Sequence, residues 1–191
     1  MTTDSSNLTA PTWFLEVGQQ RYAYRRFGEG VGLPLLCLQH FMGTLDNWDY
    51  AVTDVLAEDR EVILFDNAGV GQSTGTVPTT IAEMAKHALA FLDGLGLSRC
   101  DVLGFSLGGM VAQQMAVDRP SVFRRMVLAG TAPRGGELIM QLDKPSLAKY
   151  LPNAVLLAYP DSGHGALFQF HGPFTRHVTE FLDSDSSSAV Y

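Results

Sequence analysis

Cys100-Asp101-Val102-Leu103-Gly104-Phe105-Ser106-Leu107-Gly108-Gly109 is the stretch that decides the fold. An apolar run ends at Phe105, and a pattern of helical type begins at once after Ser106, running to Pro120. This predicts a buried strand over 100–105, one sharp turn, and a helix over 107–120. A turn that sharp leaves no room for side chains beside the serine, and glycines stand on both sides of it. The hydroxyl is then lifted into the crevice beyond the strand. The first N–H groups of the helix behind it have no intrahelical partner and offer positive charge to a developing oxyanion. Gly-x-Ser-x-Gly between strand and helix is the nucleophile-elbow pattern. The bland alternative is a chance glycine-rich turn, and its place inside a βα unit counts against it.

Outward from this unit, short apolar runs alternate with helical patterns. Residues 12–17 and 21–27 form a predicted hairpin around a Gly-Gln turn region. Residues 33–40, 61–66, 124–130 and 153–159 are apolar runs without polar alternation, predicted as buried strands. Ile81, Met84, Ala85, Ala88, Leu89 and Leu92 lie on one face of a predicted helix over 79–97. Residues 52–60 and 173–183 are further helical patterns. Strands of this kind separated by helices predict a mostly parallel sheet covered on both faces, with reactive groups on loops past the strands' carboxyl ends.

A serine hydroxyl needs a base. Of five histidines, His164 lies between two glycines in a loop after the last predicted strand, free to reach the crevice. His87 reads as a solvated helix residue, and His177 as an ion-pair partner of Glu180 three positions on. His40 reads as shaping its own loop, and His171 has no evident role. The oxyanion hole is expected from the backbone N–H of Leu107 and of Phe41, whose ring would wall an acyl pocket. Asp66-Asn67-Ala68-Gly69-Val70-Gly71-Gln72-Ser73 partly matches a dinucleotide fingerprint, but Thr74 stands where the third glycine belongs. It is expected to be a structural turn, with Asp66 accepting from loop amides.

The chain has 191 residues, 46% apolar and 17% charged, which fits one globular domain. Thirteen basic against twenty acidic residues give a net charge of −7, which argues against nucleic-acid binding. Cys37 and Cys100 sit in apolar runs and read as buried thiols. No Cys/His spacing suggests a metal, and no apolar stretch approaches the ~18 residues of a membrane span. The start of the chain carries no signal-peptide pattern, so a cytoplasmic location is expected. Domain organisation is expected as a flexible segment 1–11, one domain 12–183, and a flexible tail 184–191.

As a set, the HFMGTLDNW loop (40–48), the DNAGVGQS turn (66–73), the GFSLGG elbow (104–109), the VLAGTAPRGG strand end (127–136) and the YPDSGHG loop (159–165) resemble the α/β-hydrolases of the esterase, perhydrolase and C–C hydrolase kind. The resemblance implies an α/β-hydrolase fold with an N-terminal hairpin. It implies Ser106 as nucleophile, His164 as base and the Phe41 and Leu107 amides as oxyanion hole. No cofactor is implied. The family would place a helical cap, a further strand bearing the catalytic acid, and a helix where this chain has only residues 131–152. A shortened crossover fits that length; all three elements do not, so the cap domain is expected to be absent. Glu137 to Leu142 fits two patterns. It is either a replacement strand with the acid Asp143 at its end, or the stump of a cap helix, which the helical spacing of Leu138, Ile139 and Leu142 favours. Glu137 is a second candidate acid. The expected activity is hydrolysis of small carboxylic esters through an acyl-enzyme on Ser106. The competing expectation is an impaired, truncated member that binds a small molecule in the old pocket. Self-association through surface uncovered by the missing cap is a further expectation.

Overall fold

The computed structural model describes residues 6–132 and 155–184. Six strands form one sheet: β1 (Trp13–Val17), β2 (Gln20–Phe27), β3 (Leu35–Leu38), β4 (Val62–Phe65), β5 (Cys100–Phe105) and β6 (Phe123–Ala129). Their order is β1-β2-β4-β3-β5-β6. The hairpin β1–β2 is antiparallel and joins β4 antiparallel. From β4 onward every pairing is parallel. The helices are α1 (Tyr50–Leu56), α2 (Ile81–Gly94), α3 (Leu107–Asp118), the short α4 (Ala166–Gln169) and α5 (His171–Asp183). No cap domain stands among the described residues.

The continuous apolar runs are explained by two-sided cover. Leu35 and Cys37 of β3, Val62 and Leu64 of β4, and Leu103 and Phe105 of β5 face one core with Val52 and Leu56 of α1 and Phe174 and Val178 of α5. Leu36, Leu38, Ile63, Phe65 and Val102 face the other, with Ala88 and Leu92 of α2 and Val111 and Met115 of α3. Full burial of a side chain of this size stabilises by roughly 1.5–3 kcal/mol, so each four-residue strand is a large apolar element. Cys37 and Cys100 are buried within it, which pushes both thiols up, Cys100 to about 12.

Local signals set the ends. Thr80 caps α2 by accepting from the Glu83 N–H at 3.2 Å. Gly96, at φ 73°, closes it: Leu97 N–H reaches Leu92 O and Gly96 N–H reaches Asp93 O. Below the sheet, fully buried Asp101 of β5 accepts twice from Arg124 (3.0 and 2.5 Å) and once from the Arg125 N–H at 3.1 Å. Arg124 also reaches Leu182 O at 2.9 Å, and Arg125 donates to Phe181 O and Ser184 O. Two cations thus close the carboxyl end of α5 and fix the helix that follows the His164 loop.

Two expectations fail here. Of the run expected as a final strand, the described residues 155–159 form none, and among the described residues the sheet ends at β6. Leu156 and Leu157 stay 42% and 46% exposed, so the run lacks the two covering layers that make an apolar segment a central strand. Part of the segment expected to be flexible is docked. Ser6 and the Asn7 N–H hold Asp54 at 2.7 and 2.8 Å, and Arg25 donates to Asn7 Oδ1 at 3.0 Å. Its polar residues have specific partners on α1 and β2, which composition does not reveal.

Candidate active site

Ser106 ends β5 and starts α3. Its backbone lies at φ 54°, ψ −116°, a strained position for a residue with a Cβ. A serine at a helix N-cap ordinarily accepts from the N–H two or three residues on. Ser106 makes no such bond, which leaves its hydroxyl free to meet another group. The bend survives because backbones touch where side chains are missing. A Cβ on Gly108 would lie 2.0 Å from Leu38 O, and one on Gly104 would lie 2.6 Å from Gly109 Cα. The Ser106 N–H donates to Ala129 O at 2.9 Å, and Thr131 Oγ1 donates to Ser106 O at 2.7 Å.

His164 reaches this hydroxyl: its Nε2 lies 2.8 Å from Ser106 Oγ. The loop carrying it is shaped by Asp161 at φ 59°, by Ser162 Oγ donating to Tyr159 O at 2.6 Å, and by Gly163 N–H donating to Gln169 Oε1 at 2.8 Å. The imidazole packs against the Phe105 ring, centroids 5.2 Å apart. Gly130, at φ 53°, lies directly beneath; a Cβ there would sit 2.8 Å from His164 O and 3.4 Å from His164 Nδ1.

The loop after β3 supplies the other wall. Gly43 N–H closes a turn on His40 O at 3.0 Å, and Met42 takes φ 60°. The next residues form a 3-10 turn, Leu45–Asn47, capped by Thr44. Asp66, 2% exposed, ties this turn to the loop after β4: its Oδ1 accepts from Leu45 N–H at 2.7 Å and its Oδ2 from Gln72 N–H at 2.9 Å. Burial raises its pKa, and the two amide bonds act against that rise. Gly71, at φ 54°, is required beside it, since a Cβ would strike Asp66 Oδ2. The 66–73 segment is a structural turn. Phe41 and Leu107 line one apolar pocket of about 120 Å³, together with Gln39, Val70, Val77 and Met84. Neither the Phe41 nor the Leu107 N–H donates to an acceptor among the described residues.

The structure thus brings Ser106 and His164 together and puts Phe41 and Leu107 beside one pocket. Asp143 and Glu137 lie outside the described residues. The other histidines are engaged elsewhere. His177 meets Tyr159 Oη at 3.0 Å rather than Glu180, and His87 meets Tyr22 Oη at 2.7 Å and is half-buried rather than solvated. His40 Nδ1 turns back to Phe41 O at 2.7 Å. Gly130, Phe105 and Gln39 shape the site, and the sequence assigned none of them a role there. A glycine ending a strand beside the elbow was the one available signal.

The model for the alpha/beta hydrolase fold family matches residues 34–156. An alpha/beta hydrolase fold protein from Chitinophaga pinensis is 39% identical and superposes with TM-score 0.66, over 90% of this chain and 64% of its own. A protein of Thermoplasma acidophilum named a CIB-like hydrolase gives TM-score 0.76 over 91% of this chain and 98% of its own; at 16% identity it speaks for the fold alone. Of curated relatives, the dihydrolipoyllysine-residue acetyltransferase component of the acetoin cleaving system of Cupriavidus necator is 38% identical over 123 residues, 64% of this chain and 32% of its own. RutD of Pseudomonas savastanoi pv. phaseolicola, named for carbamate hydrolysis, is 35% identical over 97 residues, 50% of this chain and 38% of its own. The chain spans about a third of the length of these curated relatives. A six-stranded, mostly parallel sheet with a strained serine bend, matched by the family model over most of its length, makes this chain a member of the alpha/beta-hydrolase family.

Proposed function

We propose that the chain is a serine hydrolase of small carboxylic esters. The observation that carries this is the 2.8 Å approach of His164 Nε2 to a hydroxyl held out of the Ser106 bend. Ser106 Oγ attacks the ester carbonyl carbon while its proton passes to His164 Nε2. The carbonyl oxygen becomes an oxyanion and accepts from the Phe41 and Leu107 N–H groups. The C–O bond to the leaving alcohol breaks, and His164 returns the proton to that oxygen. Water then attacks the acyl-enzyme, gives its proton to His164, and the acid leaves as Ser106 regains its hydrogen. Asp143 is our candidate to accept from His164 Nδ1 and orient the ring, with Glu137 as the other. Carbamates, which the name of one relative suggests, carry a less electrophilic carbonyl open to the same attack.

The test is a fluorophosphonate probe together with p-nitrophenyl acetate. Labelling that disappears in Ser106→Ala, with hydrolysis falling to background, is the expected result. Equal hydrolysis by the native and Ser106→Ala proteins would overturn the proposal.

A further inference from the structure

Two glycines follow Leu107, and the second, Gly109, is not part of the Gly-x-Ser-x-Gly pattern. A Cβ there would lie 2.5 Å from Thr131 Cγ2 and 2.7 Å from Thr131 Oγ1. Its absence lets Thr131, two residues past the end of β6, close on the elbow, where its Oγ1 lies 2.7 Å from Ser106 O. A carbonyl has no hydrogen to give, so the hydroxyl donates. The Gly109 N–H donates to the same oxygen at 3.0 Å, so both lone pairs of that oxygen are used. Gln113 fixes the approach. Its Nε2 donates to Gly109 O at 3.1 Å and to Ala132 O at 3.3 Å, tying the residue after Thr131 to α3. With the Ser106 N–H donating to Ala129 O at 2.9 Å, the end of β6 and the residues just past it hold the serine backbone from both sides.

The oxygen that Thr131 holds and the N–H of Leu107 belong to one peptide unit. That unit is planar and trans, so its C=O and N–H point in opposite directions. Fixing the oxygen on Thr131 and Gly109 therefore aims the Leu107 N–H away from Thr131. A hydrogen bond accepted at the oxygen also draws electron density from the nitrogen and makes its hydrogen a stronger donor. We propose that Thr131 is a positioning residue for the oxyanion: through the Ser106 carbonyl, its hydroxyl aims and polarises the Leu107 N–H. This rests on the hydrolase reading, in which that N–H receives the charge of the transition state. A donor that acts as charge develops is most effective when its direction is set beforehand. The proton steps stay with Ser106 and His164, and Thr131 acts only through the shared peptide.

The test compares Thr131→Val, which removes the hydroxyl and keeps the branched shape, with Thr131→Ser, which keeps the hydroxyl. With p-nitrophenyl acetate, Thr131→Val is expected to lower kcat about 10-fold with KM little changed, less than the roughly 10²–10³ that follows complete loss of an oxyanion donor. Thr131→Ser is expected to restore most of that rate. Thr131→Ala removes the hydroxyl without new bulk, follows Thr131→Val, and serves in its place if the valine variant fails to fold. An unchanged kcat in the valine and alanine variants while Ser106 still takes the fluorophosphonate overturns the proposal. An equal loss in all three variants is a packing effect and also overturns it. A second measurement needs no turnover: the backbone nitrogen resonance of Leu107 is compared in the native protein and the variants. Loss of the bond to Ser106 O is expected to move it upfield in Thr131→Val and Thr131→Ala, and Thr131→Ser keeps it near the native position. That shift, in a protein whose Ser106 never labels, leaves the aimed and polarised N–H standing, and only the hydrolase reading fails. No shift overturns the Thr131 assignment and leaves the hydrolase reading to its own test.

Discussion

The bend under Ser106 and the loop carrying His164 meet at 2.8 Å, but different kinds of contact hold them. Backbone against backbone sets the bend: Gly108 lies on the end of β3, Gly104 lies on α3, and the Ser106 N–H is fixed to β6. Side chains set the loop: the Phe105 ring, the Gln169 amide and the Ser162 hydroxyl. A close backbone contact has no rotamer in which to escape. A side-chain contact on an exposed loop can be replaced by water or remade after a small shift. The serine is therefore the fixed member of the pair and the imidazole the adjustable one, so orientation of the imidazole is the more fragile half of the chemistry.

The largest expected effect tests that fragility. Asp143→Asn is expected to lower kcat by up to ~10⁴, the loss seen when a triad histidine loses control of its tautomer. Labelling kinetics with the fluorophosphonate give the readout. If Glu137→Gln produces the loss instead, Glu137 is the acid. If neither does, the loop contacts alone orient the ring, and the contrast between the two regions is wrong.

Gly108→Ala attacks the fixed member. The added methyl would lie 2.0 Å from Leu38 O, with backbone on both sides. Separating α3 from β3 is expected to cost about 3 kcal/mol or more, at the upper end of overpacking costs. Urea unfolding measures it, and an unchanged midpoint would show that the bend has slack. Gly130→Ala is the matched change under the adjustable member. Its methyl would meet His164 O at 2.8 Å and Phe105 Cε2 at 3.2 Å, and the positive φ adds strain of roughly 1–2 kcal/mol. The loop can move to relieve the clash, so stability falls modestly. Displacing the imidazole by ~1 Å then costs about 100-fold in kcat. A stability loss as large as that of Gly108→Ala, with activity retained in the folded fraction, would reverse the assignment of which region is rigid.

That contrast also explains what the sequence showed. The bend was legible because its constraint is local: glycines two residues either side of a serine, between an apolar run and a helical pattern. The strands β3, β4 and β5 were legible because burial on both faces removes polar alternation. The loop at 161–165 was legible only as a histidine between glycines. Gly130 and Phe105 belong to its geometry through contacts more than 30 positions away in the chain, and the glycine at the end of its strand is the one local sign of them. Residues 155–159 misled for the same reason, since an apolar run becomes a central strand only when covering layers exist. His177 and Glu180 lie at helical spacing, yet Tyr159, arriving from outside the helix, is the partner.

A smaller effect is expected from Gln169→Ala, which removes the acceptor of the Gly163 N–H. Water can take over on this exposed loop, so stability changes by less than ~1 kcal/mol. Activity is expected to drop a few-fold, seen as a lower kcat with KM little changed. A loss comparable to that of Gly130→Ala would make this amide a main support of the imidazole.

The smallest effect concerns the fixed side and its pH dependence. Asp66 ties the turn after the Phe41 loop to the loop after β4, and burial raises its pKa above the usual carboxylate value. A raised pKa means that the folded state binds the proton more tightly than the unfolded state. The stability from this group is therefore fully present below the ordinary carboxylate pKa and is lost as pH rises through the raised one. Asp66→Asn removes the titration but sets an amide N–H₂ against one of the two loop N–H groups. The native protein should be the more stable of the two, and its advantage in Tm should widen as pH falls from 7 through that window. An advantage that narrows on acidification would mean that the two amide bonds outweigh burial, and that the turn behind the proposed oxyanion hole is held by the ionised carboxylate.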